Sequence, residues 1–231
     1  MVTNREARVG AAVGSLAAAV AAEGALIRLG LTFGSTAEER SLVLPGDEIV
    51  VHPNVVTNHA ITIDTPAEYV WPWLVQMGWG RAQWYTARWV DRLLFPNNGP
   101  SAEQILPQWQ HLKIGDFIPD GRPETKTGLI VEDLQPNHHL VLRSTSHIPL
   151  SWRDRAALDW TWAFVLTPSA DGRRTRFLFR SRWATSPWWL TAGGWLGIVP
   201  ADFVMSRDML RGVKRRAEAL AAGPPEQRRT A

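Results

Sequence analysis

The feature that most constrains this chain is a pair of alternating segments joined by Asp171-Gly172. In Ala157–Thr167, Leu158, Trp160, Trp162, Phe164 and Leu166 fall at every second position. In Arg174–Ala184, Phe177, Phe179 and Trp183 share one parity, and Arg174, Arg176, Arg180 and Arg182 take the other. Successive side chains of a strand point to opposite faces, so one face is apolar and one basic. That is the pattern of an antiparallel sheet with one face on a core. A one-residue slip would turn the arginines inward, so the register is strongly specified. Asp-Gly is a hairpin turn signal. Arg180 and Arg182 are expected on a solvated outer face.

The second organising stretch is Ile61–Tyr85, ITIDTPAEYVWPWLVQMGWGRAQWY. Ile61 and Ile63 alternate with Thr62 and Asp64, as a half-buried strand does. Thr65 with Glu68 reads as a capping box, and Pro66 suits the first helical position. Pro72 should bend the helix, and Gly78 supplies the left-handed residue that ends it. Beyond Gly78, Arg81 and the pair Trp84-Tyr85 put one cation beside two amphipathic rings.

WPWLVQMGWGRAQWY, followed by SAEQILPQWQHLKIGDFIP and the late FVMSRDMLRGVKRRAE, resembles the SRPBCC superfamily over roughly residues 40–220. That superfamily includes START lipid-transfer domains, polyketide cyclases and the birch-pollen-allergen fold. The likeness is to a bacterial, uncharacterised branch. It implies an α+β helix-grip fold, a curved antiparallel sheet wrapped around a long C-terminal helix with an apolar cavity between them. The superfamily shares no catalytic set, so no catalytic residue is carried over.

The expected organisation is an N-terminal apolar helix and connector (1–40), a helix-grip domain (41–222) and a disordered tail (223–231). Strands are expected near Thr57–Asp64, Asp116–Pro119, Thr127–Leu134 and Leu140–Ser146, in addition to the hairpin above. Thr36–Val56 reads as a connector with a turn at Pro45-Gly46-Asp47. Thr86 is placed to cap a second helix carrying Trp89, Val90, Leu93 and Leu94. Asn97-Asn98-Gly99-Pro100 breaks the chain, and Ser101 with Gln104 reads as a further capping box. Pro187–Pro200 reads as an apolar loop. Ala201–Ala221 reads as a helix with Phe203, Leu210, Val213, Ala217 and Leu220 on its apolar stripe.

Residues 1–35 admit three readings. Arg5 and Arg8, an apolar middle and Ala19-Val20-Ala21 fit a signal peptide. A membrane span from Val9 to Phe33 gains roughly 3–5 kcal/mol from its apolar residues, but Arg28 and Glu23 cost about 5–7 kcal/mol. An ordinary helix would carry Val9, Val13, Leu16 and Val20 on one stripe.

The chain has 231 residues, enough to bury about 70% of its unfolded surface. It has no cysteine, which excludes disulfides and thiolate metal sites. Its formal charge of +3 does not argue for nucleic acid. The histidines lack ligand spacing, so no metal and no cofactor is expected. Phosphate-loop, Rossmann, HExxH and nucleophile-elbow patterns are absent from the sequence. The outlier is tryptophan, with 13 residues. Some of these rings build a core, and a ligand cavity gives the remainder a purpose.

The expected function is binding of a hydrophobic, lipid-like or aromatic small molecule in an internal cavity. Its walls would be Trp73, Trp84, Tyr85, Trp160, Trp162, Phe177, Phe179 and Trp183, with Arg81 as the orienting polar group. The structural alternative for Arg81 is a salt bridge or a carbonyl clamp that holds the helix–helix turn. The alternative is a polyketide cyclase or dehydratase-like enzyme, drawing an acid/base pair from Tyr85, Asp91, His111, Asp116 and His147. A further reading is contact with a membrane surface through the N-terminal helix, the Trp188–Trp195 loop and the basic C-terminal helix. The expected location is cytoplasmic, with membrane association as the alternative.

Overall fold

The computed structural model of the protein describes residues 4–94, 96 and 98–223. Asn97 of the expected break and residues 224–231 of the expected tail lie outside this range. In chain order the elements are α1 (Asn4–Thr32), α2 (Ala37–Ser41), β1 (Val55–Ile63), α3 (Ala67–Val75) and α4 (Arg88–Leu94). Then follow β2 (Phe117–Pro119), β3 (Gly128–Gln135), β4 (His139–Ser144), β5 (Ala157–Pro168) and β6 (Thr175–Ser186). The chain closes with α5 (Trp188–Gly193) and α6 (Val199–Ala221). The strands form one antiparallel sheet in the order β1-β6-β5-β4-β3-β2. The fold is α+β and helix-grip: a curved open sheet with the long C-terminal helix against it and an added N-terminal helix.

The β5–β6 hairpin has the expected register. It pairs from Ala157 with Ser186 to Pro168 with Thr175, and Phe164 faces Phe179. Trp162, Phe164, Leu166, Phe177 and Phe179 are buried on one face. They join Val70, Trp73 and Leu74 of α3 and Met209, Leu210, Val213 and Ala217 of α6 in a single core. At Gly212, α6 lies so close to Tyr85 that an added Cβ would overlap its carbonyl oxygen. Arg216 of α6 is buried as well; its Nε donates to Ala102 O and its guanidinium lies 4.8 Å over the Tyr85 ring.

Around β1 and β6 the outer face is covered rather than solvated, and this corrects the expectation for Arg180 and Arg182. The connector after α1 folds across it. Leu44 packs with Ala60, Val165 and Leu178 in a second apolar cluster. Arg180 is 3% exposed. It donates to Asn58 Oδ1 (2.7 Å), Leu42 O (2.7 Å) and Asp47 Oδ2 (2.6 Å), and also to the carbonyls of Glu39 and Arg40. Arg182 binds Val50 O and pairs with Asp47 at 3.5 Å. The connector also contains α2, which the sequence reading missed. Thr36 Oγ1 accepts from Glu39 N, and Glu39 Oε2 accepts from Thr36 N, a complete capping box. Glu39 then holds Arg176 at 2.7 Å.

Four other local expectations are corrected. Pro66, not Thr65, is the N-cap of α3, and no side chain caps it. Thr65 is drawn into the sheet edge, where its carbonyl accepts from Thr175 Oγ1 at 2.8 Å. Thr86 Oγ1 donates to Asp91 Oδ1 at 2.5 Å, so it is used on a side chain. Ser101 and Gln104 form no capping box: Ser101 Oγ accepts from Tyr85 N, and Gln104 O accepts from Gln76 Nε2. Pro187–Pro200 is helical, running through α5 and a π-type turn at Gly194–Ile198 into α6.

The expected stripe of α1 also faces the wrong way for a core. Val13, Leu16 and Val20 are 62%, 67% and 64% exposed. The docked face comes later: Ile27 and Leu31 pack near Val55, Trp183 and Val199. Gly30 meets Val199 so closely that a Cβ would fall 2.7 Å from its Cγ1. Gly30 O accepts from His59 Nε2 at 2.6 Å, which fixes the ring proton on that nitrogen.

Two predictions follow from this burial. Arg180→Met takes a buried donor away from Asp47, Asn58 and several carbonyls, and should lower unfolding stability by about 3–5 kcal/mol. Lys214→Met, which breaks the exposed pairs of Lys214 with Asp64 and Glu218, should cost under about 1 kcal/mol. Urea titrations of both variants check the contrast. Asp202 lies wholly buried in the first turn of α6, and burial pushes its carboxyl up to about 7. A carboxyl raised on folding stabilises below its ordinary value near 3.8, and that contribution is lost as pH climbs to about 7. His59 is pushed down to about 4 by burial, so it opposes this between about 4 and 6.5. Asp202→Asn should therefore stabilise the protein most at pH 8, by on the order of 4 kcal/mol, with the gain fading toward pH 4. Urea midpoints across that range measure it.

Candidate functional site

After α3 the chain makes a glycine-rich turn that the sheet edge holds. Gly78 (φ +129°) and Gln83 exchange backbone bonds, and Trp79 N donates to Pro119 O of β2 at 2.8 Å. A Cβ at Gly78 would lie 2.6 Å from Ile118 Cγ2, so glycine is required by contact as well as by conformation. Arg81 turns back and donates from Nη2 to Val75 O at 2.6 Å. Its guanidinium lies 4.5 Å over the Trp109 ring. Burial lowers the Arg81 pKa and Asp116 counters that, but an arginine stays charged at any working pH.

Trp109 is set by Gln76, a fully buried side chain at the end of α3. Gln76 Oε1 accepts from Leu106 N (2.9 Å) and Gln110 Nε2 (3.1 Å), which anchors the 3₁₀ turn Pro107–Trp109. Phe117 of β2 is 50% exposed and its ring reaches over Gly128, where a Cβ would collide with it.

Together Trp79, Arg81, Trp109, Phe117 and the β2–β3 connection from Pro119 to Thr127 line a cleft of about 660 Å³, open to solvent on one side. Its walls are largely apolar. Its charged lining residues are Arg81, Arg122 and Lys126, all cationic. The volume lies within the range of small-molecule sites, roughly 300–1,000 Å³.

Of the nine candidate binding residues, Arg81 alone lines this cleft. It is also the carbonyl clamp considered for it. The eight aromatic residues lie in ring-to-ring contact with one another or with their neighbours. Trp84 meets Trp162 at 5.3 Å, Trp160 meets Trp162 at 4.9 Å and Trp183 at 5.8 Å, and Phe179 meets Trp162 at 5.5 Å. Phe177 meets Phe164 at 6.1 Å. Trp73 meets Tyr85 at 5.8 Å, and the Tyr85 hydroxyl donates to Trp73 O. Burial raises the Tyr85 phenol well above its ordinary range. The indole N–H groups of Trp73, Trp84 and Trp162 are buried and have no acceptor.

The acid/base pool does not converge. Among the described residues no two of Tyr85, Asp91, His111, Asp116 and His147 share a hydrogen bond. Asp91 takes the Thr86 hydroxyl, Asp116 takes Lys113 N, and His111 is exposed. His147 instead joins two residues outside the pool. Its Nδ1 contacts Ser144 Oγ at 2.6 Å and its Nε2 contacts Asp120 Oδ2 at 3.0 Å, with the ring 4.7 Å from Trp160. Asp120 sits between cleft-lining Pro119 and Gly121. Trp79, Trp109 and Phe117 lay within the motif stretches, but linear spacing gives no sign that three separate loops meet.

No protein family matches the chain, and no curated protein sequence does. Solved structures do show similarity. A hypothetical protein from Helicobacter pylori is 12% identical, covering 77% of this chain and 96% of its own, with a TM-score of 0.46. CalU16 from Micromonospora echinospora is 16% identical, covering 74% and 90%, with a TM-score of 0.32. The Zhui aromatase/cyclase from Streptomyces sp. R1128 is 14% identical, covering 73% and 98%, with a TM-score of 0.29. These are similarities only; the fold assignment rests on the chain's own sheet order and helix placement.

Gly78→Ala should lose about 2–4 kcal/mol through backbone strain and the clash with Ile118. Gly80→Ala, where an added Cβ meets open space, should lose only about 1 kcal/mol. Urea unfolding of the two variants distinguishes them.

Proposed function

We propose that this protein binds an amphipathic small molecule, apolar or aromatic in its body and anionic at one end, in the Trp79–Arg81–Trp109–Phe117 cleft. The observation that supports this most is the Arg81 guanidinium held over the Trp109 ring inside a cleft whose charged lining residues are all cationic. The aromatic walls take the apolar body, and the guanidinium takes a carboxylate, phosphate or sulfonate. The position of Arg81 is set before any ligand arrives, because Val75 O and Trp109 hold it, so little ordering is left to binding.

A competing site is the interior first expected, around Trp84 and Trp162. The buried indole donors of Trp73, Trp84 and Trp162 lack acceptors and favour it, since each unmade bond costs about 1–3 kcal/mol, although the Trp79 indole at the cleft is unpartnered too. An anilinonaphthalene sulfonate probe should bind the full chain with micromolar affinity. Trp109→Ala should weaken it at least about tenfold, near 1.4 kcal/mol. Arg81→Met should weaken the sulfonate more than an uncharged naphthalene. Trp84→Phe and Trp162→Phe should change neither. The reverse pattern would move the site inside.

The enzyme reading is favoured by the His147–Asp120 pair at the shoulder of the cleft. A positioned imidazole beside a carboxylate is the equipment of acid–base chemistry. If the His147 ring signals and their titration do not respond to probe binding in NMR, that reading is removed.

A further inference from the structure

We propose that the exposed half of α1, together with the surface around α5, inserts into one leaflet of a lipid bilayer while the end of α1 stays docked on the domain. Between Arg8 and Glu23 the helix carries no charged residue. Every residue from Ala11 to Ala22 is exposed in the structure. The exposure is not confined to one stripe: Val13, Leu16 and Val20 are open, and the alanines between them are too. A groove on a protein partner would cover one side of a helix. A helix that is apolar on all sides is matched by a solvent that is apolar on all sides.

Length decides how far it goes. Ala11–Thr32 would be long and apolar enough to cross a membrane by composition. However, Ile27, Gly30 and Leu31 are packed on the domain, and Gly30 O is bonded to His59. The uncharged run from Val9 to Ala22 rises only about 21 Å at 1.5 Å per residue, against a hydrocarbon core of about 30 Å. It therefore fits partial entry, not a crossing.

The surroundings of the docked end fit the same reading. The π-type turn before α6 contacts α1, and Trp195 within it packs on the same Val55–Trp183–Val199 cluster that Ile27 and Leu31 cover. Beside it Trp188 is 79% exposed, Leu196 65% and Ile198 54%. Trp189 lies edge-on to Trp152 at 5.4 Å, and the Arg155 guanidinium sits 6.0 Å over that ring. Exposed tryptophans backed by arginine are the side chains that settle at headgroup depth. Arg155 and the neighbouring exposed Arg153 would favour anionic lipid.

Flotation of the full chain with vesicles tests this. Phosphatidylcholine vesicles should carry the protein, and vesicles with 30% phosphatidylserine, roughly the anionic content at which surface potential acts, should carry several-fold more. Leu16→Asp with Val20→Asp should reduce binding at least tenfold without changing the thermal unfolding midpoint, since both positions are open to solvent. Trp188→Ala should weaken binding several-fold. Loss of the blue shift in tryptophan emission should accompany it. No flotation with either vesicle overturns the proposal. So does flotation that the double aspartate variant leaves intact, or a dimer in lipid-free buffer that the same variant converts to monomer. The cleft variants Trp109→Ala and Arg81→Met should leave flotation unchanged.

Discussion

The structure depends on the two-sided burial of β6. Of its odd positions, Phe177 and Phe179 go into the main core and Trp183 into the smaller cluster with Val55 and Val199, and its even positions include Arg176, Arg180 and Arg182. A strand with arginines on one parity ordinarily marks a sheet open to water. Here the connector from Thr36 to Val51 lies over that face and supplies acceptors: the carbonyls of Leu42, Glu39 and Arg40 and the carboxylates of Glu39 and Asp47. Arg180 fixes the connector, and the connector makes the charge tolerable away from water. Because the arginine–carbonyl bonds and the aromatic packing demand the same register, slipping β6 would break both at once. The hairpin, the connector and the placement of β1 beside β6 are thus one decision.

At the other edge of the sheet the constraint is weaker, and that is where the cleft opens. β2 is three residues long, and its Phe117 leans over Gly128 into solvent. The turn from Gly78 to Arg81 reaches it through a single backbone bond, Trp79 N to Pro119 O. Three loops meet there with fewer shared demands than the strands have at β6. A surface built of loops on a rigid sheet is free to be concave, and its side chains are free to serve a ligand. Gln76 supplies the rigidity, since one amide orders the segment that carries Trp109.

This difference explains what could be read from the chain alone. Strand positions were legible because alternation over twelve residues is redundant; β5 and β6 begin and end within two residues of the expected bounds. The start of α3 was misassigned by one residue because Thr65 answers to Thr175, which is 110 positions away and leaves no local trace. Arg180 was placed in water for the same reason. Its partners lie more than 120 positions upstream, and nothing in RFLFRSRW tells an arginine facing solvent from one facing carbonyls. α2 was missed although Thr36-Ala37-Glu38-Glu39 carries a capping box, because five residues show no periodicity. Arg81 stood out locally, but Trp79, Trp109 and Phe117 become neighbours only when β2 pairs with β3. The meeting of His147 with Asp120, 27 positions away, needs the β3–β4 pairing as well.

The tryptophans then sort by what surrounds them. Trp73, Trp84, Trp162 and Trp183 are buried, and their edge-to-face contacts with each other and with Tyr85, Trp160 and Phe179 account for the packing of the core. Trp79 and Trp109 are half-buried at the cleft, and Trp195 is half-buried at the foot of α1. Trp188 and Trp189 are exposed next to it. A ring with this much area gains from any apolar neighbour, and leaving one in water forgoes several kilocalories of transfer energy. Apart from Trp89, 55% exposed on α4, the tryptophans that the chain leaves largely uncovered gather at two places, a cationic cleft and the base of an uncovered helix. Each place joins aromatic surface to arginine, which is the combination that suits an amphipathic guest: a single molecule in the first case and an ordered layer of them in the second.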